Sequence, residues 1–193
     1  MGEKKMDTSF LDKAINFAVK AHSGVERRGK GFPYIVHPLE AVAIVATITK
    51  DQEVLAAAAL HDVIEDTKYT EEDIRKEFGD RVAKLVSSES DIVIEGKSEA
   101  DSWQDRKRYA IDRLKKLDRD SKIVAIGDKL SNARAMLMDY RSLGEELWNK
   151  FHVTDPKLHK WHYEGLLDSF SEISDTYAYE EFKNIVEKLF GKY

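Results

Sequence analysis

The sequence predicts an all-α fold, and three observations lead to that expectation. Apolar residues recur at helical spacing through nearly the whole chain. Only 3 prolines and 10 glycines occur among 193 residues, which is few for a turn-rich β-sandwich. Hydrophobic types make up 42% of the chain, enough to bury one sizeable core. We therefore expect one domain over residues 1–193, built from about nine or ten helices.

Helix start signals divide the chain into elements. The caps, first-turn prolines and capping box that begin helices are Thr8 or Ser9, Pro38, Asp51, the run Thr70–Asp73, and Pro156. With the apolar period, they predict helices over about 9–22, 38–49, 52–66, 70–78, 103–117, 120–138, 142–152, 156–172 and 177–190. A loop rich in glycine and positive charge joins the first two helices over 25–34. A polar surface loop over 88–102 carries a short alternating patch at 92–94.

Charge and composition exclude several classes of function. Lys and Arg number 31 against 36 Asp and Glu, so the net charge of −5 disfavours nucleic-acid and anionic membrane partners. The chain has no cysteine, which excludes disulfides, thiolate metal ligands and a cysteine nucleophile. Its start lacks an apolar signal region, and its apolar stretches are too short to span a bilayer. We expect a soluble, cytoplasmic protein.

The predicted helix over 52–66 carries ionisable residues on an apolar surface. His61 and Asp62 continue stripes of alanine and leucine instead of opposing them. A buried carboxylate needs a partner, and a metal cation is one such partner. Glu65 and Asp66 follow one turn later, at a helix C-terminus where the macrodipole disfavours acidic groups. The alternative interpretation is an ordinary surface pair followed by an acidic helix end.

Two further residues could complete a set of metal ligands. His37 stands where a loop meets an apolar helix, and Asp128 interrupts the apolar run over 123–126. His37 could instead be a capping or core histidine, and Asp128 could instead accept a hydrogen bond from a buried Arg or Tyr. Two nitrogens and two oxygens would suit Mn, Fe, Co or Zn and leave positions for water and a substrate oxygen. The complete set is His37, His61, Asp62 and Asp128.

The pattern H…HD…D, with the words RGKGFPYIVHP, AALHDVIEDT and GDKLSNAR, resembles the HD-domain hydrolases. Within them, the chain is similar to the hydrolase domain of the RelA/SpoT alarmone enzymes, particularly the stand-alone small alarmone hydrolases and the metazoan SpoT homologue. The resemblance covers about residues 8–170, and too little chain remains for the synthetase and regulatory domains of the long members. It implies an HD-type helical fold that removes pyrophosphate from the 3′ position of guanosine tetraphosphate or pentaphosphate.

The resemblance also implies a role for each site residue. Mn²⁺ would be bound by His37, His61, Asp62 and Asp128. Glu65 and Asp66 would position or deprotonate the attacking water. Substrate contacts would come from Arg28, Lys129, Asn132 and Tyr163.

A polyanionic substrate requires local positive charge in an acidic protein. Arg27 and Lys30 could supply it, as could the basic run over 106–108, which also fits a solvated helix face. Trp103 and Trp161 could stack a base or could belong to the core.

Two other functions are compatible with the sequence. One keeps the fold and the metal but acts on an adenosine alarmone, the 2′-phosphate of NADPH or a nucleoside monophosphate. The other is a non-catalytic module that binds a metal or a nucleotide. The presence of both Glu65 and Asp66 disfavours this second alternative.

Overall fold

The computed structural model describes residues 6–89, 96 and 98–193, and it confirms the all-α prediction. These residues form ten α-helices and two short 3₁₀ helices, with no β-strand among them. The α-helices are α1 (Ser9–Ala21), α2 (Val36–Val45), α3 (Gln52–Leu60), α4 (Val63–Asp66), α5 (Glu71–Phe78), α6 (Asp80–Ser87), α7 (Glu99–Lys116), α8 (Arg119–Leu143), α9 (Pro156–Ser169) and α10 (Tyr177–Phe190). The 3₁₀ helices are Gly144–Lys150 and Ser171–Ile173.

Local capping signals are confirmed at most of the predicted helix starts. The Asp51 carboxylate accepts a hydrogen bond from the Glu53 amide, and Thr70 with Asp73 forms a complete capping box. Asp155 caps α9, whose first turn holds Pro156. The expected side-chain cap of α1 is wrong, because the Thr8 hydroxyl donates to the Asp12 side chain instead.

Several predicted boundaries are wrong. The helix over 52–66 is broken at His61 and Asp62 into α3 and α4, and α6 begins immediately after Gly79, where no helix was predicted. α8 continues to Leu143 before a 3₁₀ helix, so the predicted α-helix over 142–152 does not form. α7 begins inside the predicted 88–102 loop, and the alternating patch at 92–94 lies outside the described residues.

The core is built around α3, in which every residue from Val54 to Leu60 is buried. Helices α1, α2, α6 and α8 pack around it. α2 and α8 approach closely at Gly127, where a Cβ atom would lie 2.7 Å from Val45 Cγ2 and 3.1 Å from the Ala41 carbonyl oxygen. The second half of α2 therefore packs directly on α8, and in its first turn His37 contacts Ser131 of α8.

The loop between α1 and α2 folds back on itself as a short hairpin. The Arg27 amide donates to the Phe32 carbonyl at 2.9 Å, and the Tyr34 amide donates to the Val25 carbonyl at 2.8 Å. Gly29 and Gly31 hold the turn with φ of 70° and 72°, a region that glycine adopts without strain. Two basic side chains of the hairpin reach α8, where Arg27 donates to Asn132 and Lys30 donates to Asp139.

Within the described part of the chain, no helix combines the length and the apolar character that crossing a bilayer requires. The cytoplasmic location and the absence of nucleic-acid partners stay predictions.

Candidate metal centre

Three of the four predicted metal ligands, His37, His61 and Asp128, form one compact group, and Asp62 lies beside both histidines. These residues come from three separate parts of the chain. His37 stands in the first turn of α2, His61 and Asp62 form the turn between α3 and α4, and Asp128 lies in α8. His37 Nε2 lies 3.2 Å from His61 Nε2 and 3.1 Å from Asp128 Oδ1. Asp62 Oδ2 lies 2.9 Å from His61 Nε2 and 3.4 Å from His37 Nε2. Two adjacent ligand atoms that each lie about 2.1 Å from one ion are about 3 Å apart, so these spacings suit a shared metal ion.

The break between α3 and α4 explains how two adjacent residues can face one point. In a continuous helix, neighbouring side chains diverge by about 100°. Here α3 ends at Leu60, and Asp62 has φ −93° and ψ −3°, outside regular helical geometry. The turn lets the imidazole of His61 and the carboxylate of Asp62 converge.

The centre is buried and strongly charged. His37, His61 and Asp128 are 3%, 2% and 7% exposed. Burial opposes protonation of His61, but the nearby Asp62 and Asp128 outweigh it and raise the pKa of His61 well above its usual value. Burial also opposes ionisation of Asp128, yet Lys129 and the two histidines hold its pKa well below the usual range. Two imidazoles with two carboxylates held ionised fit a divalent cation.

Neighbouring groups orient the carboxylates of the centre. The Tyr34 hydroxyl donates to Asp62 Oδ2 at 2.7 Å, while Asn132 and Lys129 donate to the two oxygens of Asp128. Arg27 donates to the side-chain oxygen of Asn132 and so connects the hairpin loop to the centre. Asn132 and Lys129 were predicted as substrate contacts, whereas Tyr34 was not predicted at the site.

A cleft of about 770 Å³ opens beside these ligands. The remaining predicted site residues all line it, although they differ in exposure: Glu65, Asp66 and Arg28 are exposed, Lys129 and Asn132 are half-buried, and Tyr163 is buried. Six Lys and Arg side chains contribute to the wall, and they are Arg27, Arg28, Lys30, Lys107, Lys129 and Lys150.

Trp103 and Trp161 were each predicted either to stack a base or to belong to the core, and the structure places them differently. Trp103 lines the cleft, with its ring centroid 5.3 Å from that of His159 and 6.0 Å from that of His162. Trp161 packs against the core. Of the basic run over 106–108, Lys107 lines the cleft, so the run is more than a solvated helix face.

Glu89 is a further cleft residue that sequence reasoning missed. Its side chain is only 6% exposed and lies 3.8 Å from Lys129 Nζ. Burial raises the pKa of Glu89 to about 7, against the opposing effect of Lys129. No local motif distinguishes this glutamate from its many surface counterparts, because its burial depends on α8.

Comparison with known proteins identifies the family of the chain. A profile of the HD domain matches residues 14–150, which is most of the sequence. The chain belongs to the HD-domain family. An HD domain implies a divalent metal ion, and His37, His61 and Asp128 form a possible site for it.

Curated relatives place this HD domain near the RelA/SpoT hydrolases, as the sequence motifs predicted. The chain is 37% identical over 122 residues to the guanosine-3′,5′-bis(diphosphate) 3′-pyrophosphohydrolase of Haemophilus influenzae, covering 60% of this chain and 17% of that protein. It is 44% identical over 82 residues to the enzyme of the same name from Aquifex aeolicus, covering 42% of this chain and 12% of that protein. The chain thus spans less than a fifth of the length of these relatives.

Solved structures share the fold over most of the chain. A metazoan SpoT orthologue described as hydrolysing ppGpp has a TM-score of 0.75 at 22% identity, covering 95% of this chain and 97% of that one. A protein of Listeria monocytogenes has a TM-score of 0.70 at 29% identity, covering 80% of this chain and 99% of that one. These likenesses agree with the HD-type helical fold.

Proposed function

We propose that this protein is a metal-dependent hydrolase that removes pyrophosphate from the 3′ position of guanosine tetraphosphate or pentaphosphate. The observation that carries the proposal is the group of His37, His61 and Asp128, with Asp62 beside both histidines, next to a cleft with six Lys and Arg side chains. The names of the two bacterial relatives support this choice of substrate.

His37, His61, Asp62 and Asp128 would hold the metal, and Mn²⁺ is the ion that we propose. Two imidazole nitrogens with two carboxylate oxygens suit Mn²⁺, and Zn, Co or Fe could occupy the same donors. A bound divalent ion supplies Lewis acidity, which polarises a phosphoryl group and makes water more acidic.

Glu65 and Asp66 would orient and deprotonate the attacking water. Both line the cleft from α4, one helical turn after the His61–Asp62 turn. Glu65 would accept a proton from the water, and Asp66 would orient it. Water adds to the phosphorus as the bond from phosphorus to the 3′ oxygen breaks, and pyrophosphate is released. The 3′ oxygen takes the proton that Glu65 accepted from the water and becomes the hydroxyl of GDP or GTP.

The Lys and Arg side chains that line the cleft would neutralise the phosphates of the substrate. Arg28 is exposed at the cleft and can approach phosphate oxygens as a bidentate fork, whereas Lys129 acts as a point charge. Asn132 and Tyr163 would contact the nucleotide, since both face the cleft near Asp128. We propose that the enzyme is soluble and cytoplasmic and acts on a free nucleotide.

The deciding experiment is the chromatographic separation of products after incubation with guanosine tetraphosphate and Mn²⁺. We expect GDP and intact pyrophosphate in equal amounts from the parent protein. The Asp62→Ala variant and an EDTA-treated sample should give neither product. An Asp175→Ala variant is the matched control, because Asp175 is exposed and distant in the fold, on the turn before α10.

Unchanged guanosine tetraphosphate in the presence of bound Mn²⁺ would contradict the proposal. Turnover of NADPH, an adenosine alarmone or a nucleoside monophosphate in parallel reactions would then assign the HD chemistry to another substrate. Release of two single phosphates in place of pyrophosphate would contradict the proposed position of cleavage.

A further inference from the structure

The second ring nitrogen of His37 is held by a relay of side chains. His37 Nε2 faces the other metal ligands, and His37 Nδ1 lies 2.8 Å from the Ser131 hydroxyl. Ser131 in turn donates its hydrogen bond to Glu40 Oε2 at 2.6 Å. A hydroxyl has only one proton, so a Ser131 that donates to Glu40 can only accept from His37.

This direction of hydrogen bonding selects one form of the imidazole. His37 Nδ1 must carry the proton, which leaves the Nε2 lone pair free toward the metal centre. His61 Nδ1 is held by the backbone instead, because it lies 2.8 Å from the Ala58 carbonyl oxygen, which can only accept. Of the two histidines, His37 alone depends on side chains for this orientation.

The relay continues beyond Glu40 to the last helix. Arg134 donates to Glu40 Oε1 at 3.0 Å and binds both carboxylate oxygens of Glu181 at 2.8 and 2.6 Å. Glu181 belongs to α10, which lies outside the 14–150 segment that the family profile matches. The C-terminal helix is thus connected to a metal ligand through four consecutive polar contacts.

We propose that Ser131 and Glu40 are positioning residues that set the metal affinity of His37, with Arg134 and Glu181 as the outer anchor. The inference rests on the proposed metal centre. Ser131 is 2% exposed, so removing its hydroxyl leaves the His37 Nδ1 proton without an acceptor and without water access. The alternative tautomer then competes, and it places a proton on the nitrogen that would bind the metal.

The strength of the effect should decrease along the relay. Loss of an outer-shell partner of a metal-binding histidine typically weakens metal binding by about 10- to 100-fold. Ser131→Ala should fall in this range, and Glu40→Gln should fall toward its lower end because an amide oxygen still accepts from Ser131. Glu181→Gln should weaken binding by only about 2- to 5-fold, because Arg134 and Glu181 are partly exposed and screened.

The test is calorimetric titration of Mn²⁺ into metal-free protein, repeated with Co²⁺ while recording its ligand-field absorption. A structural defect would lower the fraction of folded protein, whereas a positioning defect alters the absorption of the bound Co²⁺ itself. Ser131→Thr keeps the hydroxyl and should restore affinity and spectrum. Glu53→Gln is the matched control, because Glu53 also forms a half-exposed pair with an arginine, Arg81, but does so far from the ligands.

Folding is checked independently by circular dichroism and by thermal unfolding in EDTA. The inference is overturned if Ser131→Ala and Glu40→Gln bind Mn²⁺ within about 2-fold of the parent, or if Glu53→Gln weakens binding equally. A parent protein that binds neither ion contradicts the metal centre and this inference together. Metal binding by the parent without hydrolysis contradicts only the proposed substrate, so the failures are distinguishable.

Discussion

The Tyr34 hydroxyl donates a hydrogen bond to Asp62 Oδ2 at 2.7 Å, so the loop before α2 directly orients a carboxylate of the α3–α4 turn. Burial and the adjacent carboxylate raise the pKa of Tyr34 far above its usual value, so the phenol stays a donor at every physiological pH. The same ring packs beside His22, with centroids 4.9 Å apart, and beneath the Arg27 guanidinium at 5.2 Å.

Tyr34→Phe should therefore weaken metal binding without unfolding the protein. We expect about a 10-fold loss of Mn²⁺ affinity, because the ring contacts remain while the bond to Asp62 is lost. Calorimetric titration measures the effect, and Tyr177→Phe, at a tyrosine that is 72% exposed, serves as the control. Equal affinities for parent and Tyr34→Phe would show that Asp62 needs no orientation from the loop.

Glu65→Gln and Asp66→Asn should separate catalysis from metal binding. Each variant keeps the four metal ligands, so the affinity for Mn²⁺ should change by less than about 3-fold. The rate of guanosine tetraphosphate hydrolysis should fall by about 10²- to 10⁴-fold for the residue that accepts the proton. Rate measurements at saturating Mn²⁺ test this, with Glu72→Gln on α5 as an exposed control. Variants that turn over at the parent rate would exclude both residues from the reaction.

Metal removal should lower the stability of the folded protein. An ion that binds only the native state stabilises it by about 2.7 kcal/mol at a concentration 100 times its dissociation constant. Thermal unfolding should therefore occur at a lower temperature in EDTA than in Mn²⁺, and the difference should disappear in Asp128→Asn. A Mn²⁺-dependent increase of the same size in Asp128→Asn would place the stabilising ion elsewhere.

Glu89 should make stability depend on pH in an identifiable window. Its folded pKa of about 7 lies above the usual value of 4.5, so the native state retains a proton that the unfolded chain releases. The contribution of this group is favourable below about pH 4.5 and is lost as the pH rises through 7.

Glu89→Gln should remove that loss. Relative to the parent, the free energy of unfolding of the variant should be higher by up to about 3 kcal/mol at pH 8 and unchanged at pH 4.5. Urea unfolding in EDTA at the two pH values measures the difference, with Glu187→Gln at an exposed position of α10 as the control. A difference independent of pH would show that Glu89 ionises normally.

Gly127→Ala should separate α2 from α8. Its methyl group would meet Val45 Cγ2 at 2.7 Å and the Ala41 backbone at 3.1 Å, so the gain in helix propensity is outweighed. We expect destabilisation by about 1–3 kcal/mol and weaker Mn²⁺ binding, because His37 would move from Asp128. Gly165→Ala is the matched control, since the three atoms nearest to its methyl group all belong to the side chain of Ile111, and it should leave metal affinity unchanged.

The sequence predicted the parts of this structure that depend on short-range signals. Asp51 and the Thr70–Asp73 box begin helices because the side chain and the amide that it caps are two or three residues apart. The ligand residues could be singled out because charged groups interrupt apolar helices. The HD-domain likeness then suggested that they meet, which the distances agree with.

The features of the site that were missed depend on tertiary contacts. The apolar period runs through His61 and Asp62 without a break, so nothing local signals the turn that lets both face one ion. Tyr34 and Glu89 were missed because their neighbours, Asp62 and Lys129, are distant in sequence. Ser131 likewise meets His37 across 94 residues, a separation that no helical period encodes.

That same separation bears on the order of events during folding. We expect the donor atoms to converge only after α2, the α3–α4 turn and α8 have assembled, because contacts between such distant segments require the most loop-closure entropy. The unfolded chain therefore offers the ion no preformed cage. Interactions that are absent from the folding transition state slow unfolding and leave the folding rate nearly unchanged. On this view the helical core folds without bound metal, and the ion slows the unfolding of the native state.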